Sequence, residues 1–354
     1  MTIAEMAAGS LKQRWNNLLT MNPALRIRNA AEQLQVSEAE LLATRTGAGV
    51  IRLEGDFKRL MTEIEPLGEV MALTRNDAVV HEKTGQYQNL SIHGTMGLAL
   101  GVIDLRLFFN RFVSAFAVEE ETEHGSRRSL QFFNAQGEAV HKIYAREATD
   151  MAAFDALVNR YRAADQHKPL TLEAAAGDNL LTMPADVDVS QLRQDWSALK
   201  DVHHFQAMLN KYGLQRIPAY RLVGAEYAQR LDIQAFEQAL TLAADSELPV
   251  MIFAGSDGVI QIHTGTVKKL LRTGPWFNVL DPGFNLHANT ELIDQVWLVR
   301  KPTSDGIVSS LEMFDAEGRQ LALMFGERHN GEAELEGWRR LLAKLLGQFV
   351  LEAN

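Results

Sequence analysis

The chain has 354 residues and no cysteine, and its 45 acidic residues outnumber its 35 lysines and arginines, for a formal net charge of -10. That length suits two globular domains, each able to bury its own core. The lack of cysteine excludes disulfides, thiolate-bound metal and a cysteine nucleophile, and the acidic balance argues against general affinity for nucleic acid, whose phosphates need clustered lysine and arginine. No apolar run approaches the roughly 18 residues of a membrane span, and the first ten residues lack the basic start of a secretory leader. A cytoplasmic protein is expected.

In chain order, residues 28–41 predict a helix, a turn and a second helix, with Ser37 and Glu40 as a capping box. Helix-turn-helix geometry is common as plain packing, and the mixed charge around it favours that reading over contact with DNA. Residues 69–80 alternate and turn at Arg75-Asn76-Asp77, predicting a hairpin. Strands are expected at 97–102, 113–120, 128–133 and 139–145, the last two joined by a tight turn ending at Gly137. A helix over 150–161, apolar at Met151, Phe154, Leu157, Val158 and Tyr161, closes the half. The stretch 166–191, with Pro169, Pro184 and no sustained period, reads as an irregular crossover. Beyond it, a helix over 192–212, a hairpin over 248–262, strands at 296–300, 309–314 and 320–326, and a helix over 333–346 repeat the order.

The repeat is legible in the residues themselves. Ser129-Leu130-Gln131-Phe132-Phe133-Asn134-Ala135-Gln136-Gly137 answers Ser310-Leu311-Glu312-Met313-Phe314-Asp315-Ala316-Glu317-Gly318, and Lys83-Thr84-Gly85 answers His263-Thr264-Gly265, at an offset of about 180 residues. Trp15 falls on Trp196 in the same register. The fold class is therefore α+β with internal duplication: two similar halves, each a large antiparallel sheet flanked by helices. Residues 1–175 form the first repeat, 176–191 the crossover and 192–354 the second repeat. Single-copy polar residues are then the candidates for a site. His203-His204 is the clearest case, since the tryptophan register places Asn22 and Pro23 opposite it.

Successive helical residues point about 100° apart, so His203 and His204 cannot ligate one metal in the same way. His203 shares a face with Gln206, Ala207 and Asn210, while Phe205, Met208 and Leu209 form the buried stripe. Either both histidines lie on the helix surface or one faces a pocket. Arg106, bracketed by apolar residues in Ile103-Asp104-Leu105-Arg106-Leu107-Phe108-Phe109, is either paired with Asp104 or part of a site, and its counterpart in the second half is His287. Arg216, Lys268, Lys269, Arg272, Lys301 and Arg328 lack strict acidic neighbours in sequence. They are solvated surface, or several converge on one anionic ligand.

Over nearly its whole length the chain resembles the HemS/ShuS/ChuS/HmuS-like hemin-degrading factor family, cytoplasmic haem-handling proteins of Gram-negative bacteria. Asp201-Val202-His203, the Ile103–Phe109 segment, Phe325-Gly326-Glu327-Arg328 and the duplication carry the resemblance. It implies haem b bound in a cleft with residues from both halves. On the resemblance His203 is expected as the proximal iron ligand, with His204 as the alternative, and Arg106 as the distal group. Phe108 packs near the distal face and Phe253 near the porphyrin. Arg216, Lys301 and Arg328 receive the propionates or line the pocket, with Phe325 beside Arg328. A second, weaker haem site at His81 is a further expectation.

Neutral imidazole suits haem iron, and an arginine beside an oxygen ligand stabilises developing negative charge. The resemblance thus implies a haem-degrading activity of heme oxygenase type that releases iron. No Gly-x-Gly-x-x-Gly opens a helix after a strand, so electrons must come from an external reductant, small or a partner reductase. The alternative is a carrier that accepts haem from an import ABC transporter and passes it to a separate enzyme. Neither reading involves nucleic acid or a membrane span.

Overall fold

The computed structural model describes residues 9–123, 125–175, 177, 179–329 and 331–351. The reading of the N-terminus as leaderless rests mainly on Met1–Ala8, and the crossover includes Ala176 and Asp178; these positions lie outside the described residues.

Among those residues, the duplication holds strand for strand. The first half runs α1 (Leu11–Met21), α2 (Ile27–Leu34), α3 (Glu38–Ala43), β1 (Val50–Leu53), α4 (Phe57–Thr62), β2 (Gly68–Arg75), β3 (Val79–Gly85), β4 (Ser91–His93), β5 (Met96–Ala99), β6 (Asp104–Phe108), β7 (Ser114–Thr122), β8 (Gly125–Phe133), β9 (Ala139–Thr149) and α5 (Met151–Tyr161). The second runs α6 (Val189–Ser197), α7 (His204–Lys211), α8 (Arg216–Val223), β10 (Ala228–Leu231), α9 (Gln234–Asp245), β11 (Val250–Gly255), β12 (Val259–Gly265), β13 (Leu270–Thr273), β14 (Trp276–Asp281), β15 (Phe284–Asn289), β16 (Gln295–Thr303), β17 (Gly306–Phe314), β18 (Gln320–Gly326) and α10 (Glu336–Phe349). Five strands pair in the order β1-β7-β8-β9-β2 in the first half, and β10-β16-β17-β18-β11 in the second. Three more form the antiparallel meanders β4-β5-β6 and β13-β14-β15.

The chain divides into two compact units. One takes the chain up to Thr74, then Glu82 to the crossover, and the short piece Ser256–Ile260; the other takes Arg75–His81, Gly177–Gly255 and Gln261 onward. In the second unit the sheet is covered on both sides. Val296 and Leu298 of β16 pack with Phe236, Leu240, Trp338 and Leu342 of α9 and α10. The alternate residues Trp297 and Val299 pack with Trp196, Phe205 and Tyr220 of α6–α8. Side chains alternate across a strand, so burial on both faces makes β16 a continuous apolar run. The first unit follows the same logic, with Phe154 and Leu157 of α5 on one set of strand residues and Leu42 of α3 on another.

Local signals held where local chemistry sets the structure. The Ser37–Glu40 capping box forms, with both hydrogen bonds in place. Asp150 caps α5, and of its five predicted apolar positions Phe154, Leu157, Val158 and Tyr161 are buried while Met151 is partly exposed. Two expectations need correction. The strand expected at 97–102 ends at Ala99, because Leu100 leaves the ladder and its N–H donates to Gln88 instead. The helix expected over 192–212 is two helices, α6 and α7, interrupted at 198–203. Asp201 competes for the backbone there: its carboxylate accepts the His203 N–H at 2.8 Å, starting a new turn instead of extending the old helix.

Candidate functional site

That interruption creates the most distinctive feature of the second unit. His203 sits at the N-cap of α7, and its side chain is 84% exposed. Its ring Nδ1 lies 2.6 Å from Asp201 Oδ1, the oxygen that also accepts its backbone N–H. The backbone and ring contacts from His203 hold the Asp201 carboxyl below its ordinary pKa. An imidazole that donates through Nδ1 presents the Nε2 lone pair outward, the arrangement a carboxylate-oriented metal ligand uses. His204, the next residue, is also exposed.

Beneath α7 lies a buried charge cluster. Phe205, Met208 and Leu209 are buried as the periodicity predicts. The Phe205 ring is edge-on to Trp196 at 4.8 Å, with Lys301 Nζ 4.5 Å and the Arg216 guanidinium 5.3 Å from its centroid. Both cations reach Glu312, which is wholly buried: Lys301 Nζ lies 2.6 Å from Oε1, and Arg216 Nη1 3.3 Å from Oε2. Ser310 Oγ donates to Oε1 at 2.9 Å, while the Tyr220 hydroxyl and Gln320 donate to Oε2 at 2.5 and 3.0 Å. Burial alone would raise the Glu312 pKa, but Lys301 and Arg216 outweigh it and bring it down to about 2. Burial lowers that of Lys301. The first half has Gln131 where the second has Glu312. Its buried carboxylate comes instead from a helix, Glu38 to Lys142 at 2.6 Å.

The same sheet face extends past the helices. By register, Glu312 stands opposite Leu323, Phe325 opposite Met251, and Phe253 opposite Leu323, so these residues share one face. Met251, Phe253, Leu323 and Phe325 are only partly buried, and the Phe253 and Phe325 rings meet at 5.3 Å. They form an apolar ledge. Beyond β18, Arg328 is mostly buried; its Nη2 lies 3.4 Å from Asp305, and its Nε has no hydrogen-bond partner.

In the first unit, β6 alternates cleanly. Leu105 and Leu107 are fully buried, whereas Asp104, Arg106 and Phe108 lie on the other, partly open face. Arg106 is 32% exposed and pairs with Asp104. Its cross-strand neighbour is Leu98, and that of Phe108 is Met96, so the face carries apolar residues around one guanidinium. Phe108 N–H donates to Gly258 at 2.9 Å, which pins the end of the strand.

Three sequence expectations change in space. Four of the six cations read as lacking strict acidic neighbours acquire acidic partners through the fold: Arg216 and Lys301 at Glu312, Arg272 at Glu237, and Arg328 at Asp305. His203 stands at the N-cap of α7 instead of inside one continuous helix over 192–212, with its own backbone still in the right-handed helical region. His81 is wholly buried, with Gln261 Nε2 2.9 Å from its Nδ1 and Phe284 against its ring, so a haem there would have to open the core. Sequence reasoning gave no role of their own to Asp201, Tyr220, Glu312 and Gln320. Two of them carried a signal, Asp201 as part of the Asp201-Val202-His203 motif and Glu312 as the acid that replaces Gln131 in the repeat.

Two similar antiparallel α+β halves, the second carrying a carboxylate-oriented histidine at a helix N-cap, define the class of fold to which the chain belongs. The family model described as the haemin-degrading HemS.ChuX domain matches twice, at residues 35–161 and 213–345, and the chain belongs to that family. It is 39% identical to the hemin transport protein HmuS of Yersinia pestis over 96% of this chain and 99% of that protein. Among solved structures it resembles holo-PhuS, a heme-binding protein from Pseudomonas aeruginosa (44% identity, TM-score 0.91, 98% and 99% of the two chains). It also resembles the heme degrading enzyme ChuS of Escherichia coli O157:H7 (37% identity, TM-score 0.89, 94% and 98%).

Proposed function

We propose that this protein binds haem in the cytoplasm and opens the macrocycle to release iron, with His203 as axial ligand and Arg106 on the opposite side. The observation that carries this reading is the His203 imidazole, exposed at a helix cap and oriented through Nδ1 by Asp201. Two further features support it. The ledge of Met251, Phe253, Leu323 and Phe325 suits a flat apolar disc, and the Arg106 face offers apolar contact with Phe108 beside one guanidinium. Burying several hundred Å² of porphyrin at roughly 25 cal/mol per Å² supplies most of the affinity. Arg328, whose donors are only weakly engaged, orients a propionate. Arg216 and Lys301 line the pocket from beneath, committed to Glu312. An external reductant, small or a partner reductase, supplies the electrons.

The second reading is a carrier that receives haem from an import transporter. The name of the hemin transport protein HmuS favours it, as does the pairing of Arg106 with Asp104, which neutralises the distal cation. One experiment separates the two. Haem is loaded anaerobically, then reductant is added with and without oxygen while the Soret band and the product masses are followed in wild type and His203→Ala. Conversion to an open-chain product supports the enzyme, and intact haem the carrier. A complex that His203→Ala leaves unchanged rejects the ligand assignment.

A further inference from the structure

The buried Glu312 cluster lies under the helix whose N-cap is His203, and Glu312 itself is wholly buried. In an α-helix successive side chains turn by about 100°, so the phase of α7 decides which neighbouring side chain points where. Phe205 is the residue of α7 that meets the cluster. Its ring is held by Trp196 at 4.8 Å and Tyr220 at 6.4 Å, and it is faced by Lys301 at 4.5 Å and Arg216 at 5.3 Å. Phe205 follows His203 by two residues, about 200° around the helix. Seating its ring inward therefore turns His203 outward, with His204 about 100° away.

The two cations keep their places because Glu312 holds both, together with the hydroxyl of Tyr220, whose ring stacks on Phe205. Without the carboxylate, Lys301 and Arg216 would repel each other and Lys301 would have to leave the interior for water. The Phe205 seat would lose two of the groups that define it.

We infer that Glu312 is a positioning residue: by holding Lys301, Arg216 and Tyr220 around Phe205 it fixes the rotation of α7, and so selects His203 over His204 as the histidine presented to haem. The inference rests on the proposed reading of His203 as the axial ligand. It adds that ligand choice is made more than one residue layer below the ligand, by a carboxylate that never touches haem. At the duplicated position Gln131 carries no charge, and the first half draws its buried carboxylate, Glu38 with Lys142 and Arg28, from a helix instead.

The test uses the full chain loaded with haem and reads the axial-ligand signature by electron paramagnetic resonance and resonance Raman, with haem dissociation measured in parallel. The proteins are wild type, Glu312→Gln, Phe205→Leu, His203→Ala, and each of the first two variants combined with His204→Ala. Glu312→Gln should give two ligation signatures, and adding His204→Ala should remove one of them. Haem dissociation should rise by about tenfold or more, the scale on which groups behind a metal ligand act. A single wild-type signature and an unchanged off-rate in Glu312→Gln overturn the inference while leaving His203 as ligand. An unchanged signature in His203→Ala overturns the underlying assignment instead. If Glu312→Gln does not fold, Phe205→Leu decides, since it alters the seat without leaving a buried charge unpaired. A mixed signature there, resolved by His204→Ala, supports phase control, and a pure wild-type signature refutes it.

Discussion

The hydroxyl of Tyr87 and Nε2 of His141 lie 2.5 Å apart inside the first unit, and Thr74 Oγ1 lies 2.9 Å from Nδ1 on the other side of the ring. All three residues are fully or almost fully buried. Burial lowers the His141 pKa to about 3, against about 6.5 for an ordinary histidine. The unfolded chain therefore takes up a proton below pH 6.5 that the folded chain refuses until about pH 3. Stability contributed by the neutral ring is complete above pH 6.5 and falls between these limits, at up to about 1.4 kcal/mol per pH unit. Urea titrations at pH 7 and pH 4 should show a large loss in wild type. In His141→Gln the loss should be smaller, even though that variant starts less stable at pH 7; an equal loss would assign the acid sensitivity elsewhere.

The Asp201 contact to His203 Nδ1 should govern haem affinity without being a ligand bond itself. Asp201→Ala frees the ring and removes the carboxylate that accepts the His203 N–H just before α7. Haem affinity should fall by about 10- to 100-fold, with the remaining complex still dependent on His203. Titration of the Soret band at fixed ionic strength reads this directly. Asp201→Asn, which keeps an acceptor oxygen, should lose less.

For Arg106 the two function readings give opposite results. If the guanidinium stabilises negative charge during ring opening, Arg106→Ala should slow turnover by about 100-fold or more while haem still binds. Asp104→Ala, which releases the cation from its pair, should raise the rate. In a carrier neither change would alter the fate of haem under reductant, and only its release would shift.

Removing the Glu312 carboxylate should also be costly to the fold. Glu312→Ala leaves Lys301 buried without its counter-charge, and breaking a buried pair in this way costs about 3 to 5 kcal/mol. Lys301→Met combined with Glu312→Leu should cost less than the single change, since no buried ammonium is then left alone; Arg216 remains partly open to solvent. Thermal unfolding of the three proteins at pH 7 tests the order. The wild type should also lose stability as pH falls from the usual glutamate range towards about 2, where Glu312 finally takes its proton.

Much of the architecture was legible because its causes are local or repeated. The Ser37 box, the Asp150 cap and the hairpin at Asn76 depend on residues a few positions apart, and the paired motifs at Ser129 and Ser310 announce the same strands twice. The helix over 192–212 was misread for the opposite reason. Leu192, Trp196, Leu199, Phe205 and Leu209 are all buried, so apolar spacing runs on through a gap that only the Asp201 side chain reveals. His203 and Arg106 stood out as single-copy residues whose chemistry matches a known family. What surrounds them did not.

By itself the sequence determined the duplicated α+β fold and the family, and it singled out His203 and Arg106, the two residues proposed to act on haem, since periodicity, turns and motifs are properties of neighbouring residues. The tertiary structure decided which charges are spent. Arg216 and Glu312 are 96 residues apart in the chain and 3.3 Å apart in space. The strand register that brings Glu312 under α7 follows from packing across the whole sheet, and no pattern in the residues around Arg216 or Lys301 foretells a carboxylate arriving from so far along the chain.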